Sequence, residues 1–389
     1  MFQKLEQEYS LSNKIIGIDA INLRGGGGQT HLIEFLAYAN PRDEGINRII
    51  VWGANNLLEN LNDKPWLIKV DVGWVATSAI TRFLWQILWL PKLALKNNCW
   101  CLFSPGGSVF TSSLPTVTMC RNLLPFDSQQ KKRFGFSITR IKLEMLKKIQ
   151  LSSFRRASKT IFLTQFAQQV VAKNISEITK NSIIIPHGVS KIFRKKPRPQ
   201  KPVTQFDDSK MFDILYVSPI DYYKNQHTVI MATNRLRNEM KWPLKLTLVG
   251  GIRPSLKKRF LKLINEPSMG GDWINYVGTQ PYENLSNFYQ NANLGIFASS
   301  CENLPNTLIE MMAAGLPIAS SNCQPMPQIL EESGLFFDPE STEEIYQCLK
   351  ALISNPDLRT QLAKRSYDMA AQYNWKFCAQ ATLSQLADV

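Results

Sequence analysis

Apolar runs and helical periodicity alternate along the chain. Residues 14–19, K-I-I-G-I-D, are a near-continuous apolar run ended by an acid, the pattern of a parallel strand covered on both faces. Similar runs recur at residues 48–52, 100–103, 116–119, 160–164 and 182–186. A second set falls at 213–218, 246–251, 274–278 and 294–298. Between runs, apolar residues follow helical spacing, as at Leu32, Phe35 and Leu36 or at Leu308, Met311 and Met312, which predicts helices with one face inward. Strands alternating with helices predict an α/β fold with parallel sheets. Residues 195–203, K-K-P-R-P-Q-K-P-V, interrupt the alternation and read as a linker. A length of 389 residues suggests two domains.

The most informative stretch is 297–321, F-A-S-S-C-E-N-L-P-N-T-L-I-E-M-M-A-A-G-L-P-I-A-S-S. It reads as a strand, a polar turn with Glu302 and Asn303, a helix and another strand. Pro305 sits where a helix can begin, because its missing N–H has no partner there. Gly315 and Pro317 stop the helix. Glu302 in the loop and Glu310 in the helix can both face the crevice at a strand's carboxyl end, where open α/β sheets bind ligands. The N–H groups of Asn303, Leu304, Asn306 and Thr307 point the same way and suit an anion such as a diphosphate. Acids at a helix start also complement its dipole, so the residues alone leave both readings open.

Gly25, Gly26, Gly27 and Gly28 follow the first strand and precede a helical pattern, an arrangement that brings N–H groups close to a phosphate. The spacing fits neither the dinucleotide fingerprint nor the P-loop, and a flexible turn would look the same. His31 is either a helix-start residue or a substrate contact. Arg121, after the run 116–119, suits an anionic group or a surface ion pair. In residues 78–96, Trp85 and Trp89 fall on one helical face, of either a core-facing helix or one resting on a membrane. Residues 131–159 combine a basic cluster with Ile138, Ile141, Met145 and Ile149 at helical spacing. That is either a solvated helix packing on the core or a membrane-surface element.

Composition narrows the classes. With 45 basic against 31 acidic residues the net charge is +14, which points to an anionic partner: nucleic acid, an anionic membrane or a phosphorylated substrate. No zinc-finger, RNP or basic-zipper pattern is present, so nucleic acid is not expected. No apolar run is long enough to span a membrane, and residues 1–14 are too polar for a signal peptide; a cytoplasmic location is expected. Seven cysteines, odd and scattered, argue against a disulfide framework. Cys99 and Cys101 have no matching second pair and histidines number three, so no metal site is expected.

The segment 302–321 resembles the Glu–seven residues–Glu motif of family-4 retaining glycosyltransferases. The resemblance implies the GT-B fold: two Rossmann-like domains facing a central cleft, with a C-terminal helix crossing back to the first domain. It implies an acceptor-binding domain over residues 1–196, a nucleotide-sugar-binding domain over 210–365, and a returning helix over 366–389. Glu310 takes the place that holds the donor's ribose hydroxyls, and Glu302 the place against the donor sugar. The family's glycines after the first Glu are here Asn303 and Pro305. The stretch 215–225, L-Y-V-S-P-I-D-Y-Y-K-N, resembles the family's V-G-R-L-x-x-x-K-N, so Lys224 matches the lysine that neutralises the diphosphate, while the partner arginine is Pro219. I-P-H-G-V and, later, G-L-F-F-D-P also match, with His187 for the usual Asn. By the same likeness Val277 and Gly278 contact the nucleobase, Gly27 and Gly28 belong to the glycine loop facing the donor, and Arg121 and Asn122 stand where many relatives carry His-Asp.

The implied reaction is hexosyl-type transfer, with retention, from a nucleotide-sugar donor to a glycan or lipid-linked acceptor in polysaccharide biosynthesis of the cell envelope. No Asp-x-Asp triplet occurs, so the transfer is expected to need no metal and no cofactor. A peripheral position at the inner face of the membrane is compatible with this. A sugar-nucleotide epimerase on the same fold and an inactive partner subunit are the alternatives.

Overall fold

The structure is a computed structural model describing residues 14–266 and 272–389. Residues 1–13, most of the segment considered for a signal peptide, lie outside the described residues. Among those described, the strands form two parallel sheets. The first has seven strands: β1 (Lys14–Asp19), β2 (Ile46–Gly53), β3 (Leu67–Asp71), β4 (Cys101–Ser104), β5 (Thr116–Cys120), β6 (Lys159–Phe162) and β7 (Ser182–Ile184), in the order β3-β2-β1-β4-β5-β6-β7. The second has six: β8 (Phe212–Val217), β9 (Leu244–Val249), β10 (Ile274–Gly278), β11 (Leu294–Phe297), β12 (Ile318–Ser321) and β13 (Leu335–Phe337), in the order β10-β9-β8-β11-β12-β13. Each sheet is doubly wound and reverses its order once, between β1 and β4 and between β8 and β11. Those reversals are where such sheets leave a crevice at the strands' carboxyl ends.

The chain divides into two compact units. The first holds the described residues up to Phe126, together with Ser137–Gly188 and Asn374–Val389. The second holds Asp127–Phe136 and Val189–Tyr373. This differs from the boundaries read off the sequence. Residues 195–203 are not a spacer: Lys195 N–H donates to the Ala313 carbonyl at 3.0 Å, and Arg359 donates to the Lys201 carbonyl at 2.5 Å and Gln200 Oε1 at 3.2 Å. A Pro- and Lys-rich composition announces the lack of a helix or strand, not the lack of contacts. Residues 366–373 stay with the second unit, and only from Asn374 does the chain rejoin the first. There the helix Trp375–Ala387 packs beside the helix Gly27–Tyr38, and Lys14 Nζ donates to the Ala387 carbonyl at 2.7 Å.

Two helical readings are corrected. Residues 78–96 form two helices, Ala79–Leu88 and Leu90–Lys96, broken at Trp89 before Pro91. Trp85 is buried in the first unit's core while Trp89, at the break, is half exposed. In the helix Ile138–Arg156 the residues facing the core are Leu143, Gln150, Ser153 and Phe154. Ile138, Ile141 and Met145 are exposed. His31 is fully buried, stacked on Phe35 and on His187 with ring centroids 6.1 and 4.6 Å away. It is a core residue rather than a substrate contact.

Arg359, fully buried, ties together the end of the second unit's helical layer. Its guanidinium caps the helix Thr342–Ser354 by donating to the carbonyls of Leu352 and Ile353, both at 2.6 Å, a favoured use of arginine at a helix C-terminus. Arg359→Met keeps the stem but strands those carbonyls in the interior. Each unsatisfied group costs about 1–3 kcal/mol, so the variant is expected to lose about 3 kcal/mol or more, read as a lower urea midpoint. An unchanged midpoint would mean water replaces the guanidinium.

Candidate functional site

In the second unit the site is built at the reversal between β8 and β11. After β8 the chain makes a tight helical turn, Tyr222–Lys224, whose start is capped by Asp221: its carboxylate accepts from the Tyr222 N–H at 2.7 Å. The same carboxylate takes both Nε and Nη2 of Arg253 at 2.7 Å, a two-pronged pair that holds the turn's entry. Asn225 then adopts φ of 53°, a left-handed conformation that asparagine tolerates better than most residues. Its side-chain amide donates to the Ala298 carbonyl at 2.8 Å and to Ser300 Oγ at 2.7 Å. Ser300 N–H returns a bond to the Tyr223 carbonyl at 2.8 Å, and the Tyr216 hydroxyl donates to the Lys224 carbonyl at 2.7 Å. The loops after β8 and β11 are thus sewn together.

That stitching brings Lys224 and Glu302 into an ion pair, with side-chain exposures of 10% and 14%. The ammonium also lies 5.2 Å from the Tyr223 ring centre and 5.4 Å from that of Phe297, within reach of a cation–π attraction. Burial and the neighbouring Glu302 carboxylate push the Tyr223 hydroxyl well above its ordinary range.

Beyond Glu302, Asn303 and Leu304 are buried, and Asn306 and Thr307 are half-buried in the first turn of the helix Asn306–Ala313. Pro305 stands at the cap rather than inside the helix. No side chain caps this helix and its first turn carries no acid, so its positive end is not neutralised by its own residues. Leu308, Met311 and Met312 are fully buried, and Glu310 is buried with them. The Tyr289 hydroxyl donates to Glu310 Oε2 at 2.8 Å. Burial pushes the Glu310 carboxyl up to about 7, against the pull of that hydrogen bond.

Val277 and Gly278 end β10, two strands from β8 across β9. Here Gly250 is required: a Cβ on it would fall 2.2 Å from the Ser218 carbonyl oxygen. That close approach lets the ends of β8, β9 and β10 converge, with Gly250 N–H donating to the Gly278 carbonyl at 2.9 Å.

The first unit repeats the plan at the reversal between β1 and β4. Gly26 takes φ of 60° ahead of the helix Gly27–Tyr38, which has no side-chain cap and no acid in its first turn. Arg121, just past β5, lies over this start: a Cβ on Gly28 would sit 2.2 Å from its Nη2. Arg121 Nη1 donates to the Pro105 carbonyl at 3.3 Å. No carboxylate lies within ion-pair distance of it among the described residues. Burial lowers the guanidinium to about 10. Asn122 has a local role, its Oδ1 accepting from the Leu124 N–H at 3.0 Å. Gly28 therefore meets Arg121, with Gly27 beside it at the helix start, while Asn122 turns to its own backbone. No local pattern marks Tyr289, 21 positions before Glu310, or the Asp221–Arg253 clasp. Asn225 was visible only as the neighbour of Lys224.

The sequence model described as "Glycosyl transferases group 1" matches residues 198–369. O-antigen chain mannosyltransferase B of Escherichia coli is 26% identical over 172 residues, 44% of this chain and 44% of the relative. The lipopolysaccharide core biosynthesis glycosyltransferase LpsE of Rhizobium meliloti is 26% identical over 167 residues, 42% and 46% of the two chains. The alignments span under half the length of these curated relatives. Among solved structures, Anabaena HepE in complex with UDP superposes with a TM-score of 0.70 at 16% identity, covering 97% of this chain and 100% of that one; HepE has also been solved with UDP-glucose. WaaG, a glycosyltransferase involved in lipopolysaccharide biosynthesis, gives 0.70 at 14% identity, covering 96% and 100%. Residues 198–369 thus resemble the glycosyl transferases group 1 family, on a chain whose two parallel α/β units have the GT-B fold.

Proposed function

We propose that the chain transfers a hexosyl group, with retention, from a nucleotide sugar to a glycan or lipid-linked acceptor during polysaccharide biosynthesis. The observation that carries this is the Lys224–Glu302 pair at the sheet reversal, beside the uncapped helix start at Asn306. A diphosphate set there meets an ammonium and a positive helix end. Its arrival draws Lys224 from Glu302 and leaves the carboxylate against the sugar. Val277 and Gly278, two strands away, are about 10 Å off at ordinary strand spacing, a span suited to the nucleoside. The complexes of HepE with UDP and UDP-glucose support a donor of this class. As the glycosidic bond breaks, charge grows on the leaving diphosphate and Lys224 stabilises it; that phosphate then helps take the acceptor's proton on the same face. The protein groups do this without a metal.

The test is turnover of a nucleotide-sugar panel, UDP-glucose first, in excess EDTA. The parent chain should turn over fully, and Lys224→Ala should lose more in kcat than in donor affinity, because the lysine acts most on the transition state. Activity restored only by manganese or magnesium, or an unchanged kcat in the variant, would sink this assignment.

Glu310 supplies a pH dependence. Only its carboxylate can accept from two ribose hydroxyls, and in the free protein the group titrates near 7. Its pKa is raised, so the proton is held through the weakly acid range and must leave when donor binds. Donor affinity should therefore fall as pH drops below 7, by up to about tenfold per unit, and level off above it. A nucleotide sugar carries no phosphate proton to confuse the measurement. Calorimetry from pH 8 to 5.5 should show this slope in the parent and none in Glu310→Gln; equal slopes would assign Glu310 to the helix alone.

We further propose that the first unit docks on an anionic membrane surface. Ile80, Leu84, Leu88 and Trp89 are exposed on the helix Ala79–Leu88 and its C-cap, and Ile138, Ile141 and Met145 lie exposed among Arg140, Lys142, Lys147 and Lys148 on another helix. No helix of the described residues is long and apolar enough to cross a membrane. Apolar side chains beside basic ones suit an interface, and each basic residue adds about 1 kcal/mol, screened by salt. Binding to phosphatidylserine liposomes should weaken as salt rises and in Ile141→Glu; equal recovery on neutral liposomes would remove the electrostatic part.

A further inference from the structure

Asp127–Phe136 is a short excursion: the chain leaves the first unit after Phe126, joins the second for these residues and returns at Ser137. It contains one helical turn and a half, Ser128–Lys132, capped by the Asp127 carboxylate, which accepts from the Gln130 N–H at 2.9 Å. The sequence marks it only as the start of a basic cluster. In the structure its Arg133 points at the turn that carries Lys224. Nη1 donates to the Tyr222 carbonyl at 2.7 Å and to Asn225 Oδ1 at 2.8 Å, while Nη2 pairs with Glu340 at the rim. Phe134 sets its ring edge against Tyr222, centroids 5.2 Å apart, and receives the Arg253 guanidinium on its face at 5.0 Å. At the other end of the excursion the Asp127 carboxylate faces the Cys301 thiol, next to Glu302.

We propose that Arg133 is a positioning residue for the Lys224–Glu302 pair, holding it through Asn225; this deepens the donor-site reading and rests on it. Asn225 has one amide oxygen and one NH2 group. Its NH2 is given to the loop after β11, through the Ala298 carbonyl and Ser300 Oγ. Its oxygen is given to Arg133. Arg133 thereby fixes which way the amide faces, and the amide fixes the spacing of the two loops that carry the ammonium and the carboxylate. The Tyr222 carbonyl on the same Nη1 pins the start of the turn as well. Without the guanidinium the amide can rotate or fill its oxygen with water, and the Lys224 turn loses a fixed distance to Glu302. A misplacement of about 1 Å at a reacting centre costs up to about a hundredfold in rate, whereas donor binding draws on contacts spread along the nucleotide.

The test compares the parent with Arg133→Ala, Arg133→Lys and Glu340→Gln, using the donor that turns over best. Arg133→Ala should lower kcat about tenfold or more, with donor KM within about threefold. Arg133→Lys should recover part of the loss, since an ammonium can reach one of the two acceptors but lacks the fork. Glu340→Gln should match the parent, because that ion pair is at the exposed rim. If the alanine variant fails to fold in a thermal melt, the lysine variant carries the test: reduced kcat at unchanged KM. Arg133 variants that keep the parent's kcat, or that lose affinity in step with rate, overturn this role alone. A folded parent that neither binds nor turns over any donor overturns the reading of the site itself, and this role with it.

Discussion

The second unit depends on a constraint set by two charges. Lys224 and Glu302 sit largely out of water at the ends of β8 and β11. Withdrawing such ions from water costs several kcal/mol apiece, which their attraction offsets only when the geometry is held and the remaining hydrogen-bonding capacity is used. The surrounding bonds meet that requirement. The Lys224 carbonyl is held by Tyr216, the Tyr223 carbonyl by Ser300, and the turn's exit by the Asn225 amide. Neither loop can shift without separating a buried ammonium from its carboxylate. The sheet reversal supplies the gap, and the ion pair decides how the loops close over it.

Saturation separates structural charges from those that await something. A guanidinium has five donors and a carboxylate about four acceptor positions. Arg359 places its guanidinium on four acceptors, three of them backbone carbonyls, so its charge is accommodated by the fold. Arg121, beside the glycine loop, has the Pro105 carbonyl at 3.3 Å and a helix start of its own sign. Glu310 has the Tyr289 hydroxyl, and burial raises its pKa to about 7. A group that the fold leaves short of partners is destabilised until a ligand completes it. On that measure Glu310 and Arg121 are short of partners and Arg359 is not.

The strands were largely legible because buried parallel strands are written as unbroken apolar runs; residues 14–19 and 274–278 match β1 and β10 to the residue. β3 was missed for the same reason. Its sequence, L-I-K-V-D at the sheet edge, is only partly buried and includes Lys69 and Asp71, so it carries no such run. Helices were legible as helices but not by face: Ile138, Ile141 and Met145 have the right spacing for a core and point to solvent. Spacing specifies a stripe, and only the neighbouring elements decide whether anything covers it. At the site, Glu302, Glu310 and Lys224 could be named from local pattern. What holds them could not: Tyr289 reaches Glu310 from 21 positions away, and Arg133 and Arg253 reach the Lys224 turn through packing rather than local pattern.

Absence of an arginine at Pro219 has a consequence for the donor reading. A candidate to replace it, Arg253, already gives two bonds to Asp221, and that carboxylate raises its pKa further. It cannot turn to a phosphate without giving up both bonds to the carboxylate that caps the Tyr222–Lys224 turn. Lys224 itself is neutralised by Glu302 before any donor arrives. In the proposed complex the side chains of this unit therefore offer the diphosphate little net positive charge. The remainder must come from the backbone at Asn306 and Thr307, where no acid and no capping side chain opposes the helix end. Such N–H groups are fixed in direction, so they contribute to holding charge without having to reorganise as it grows. A site that relies on them is sensitive to where the loop after β11 stands, which is the distance the Asn225 amide sets.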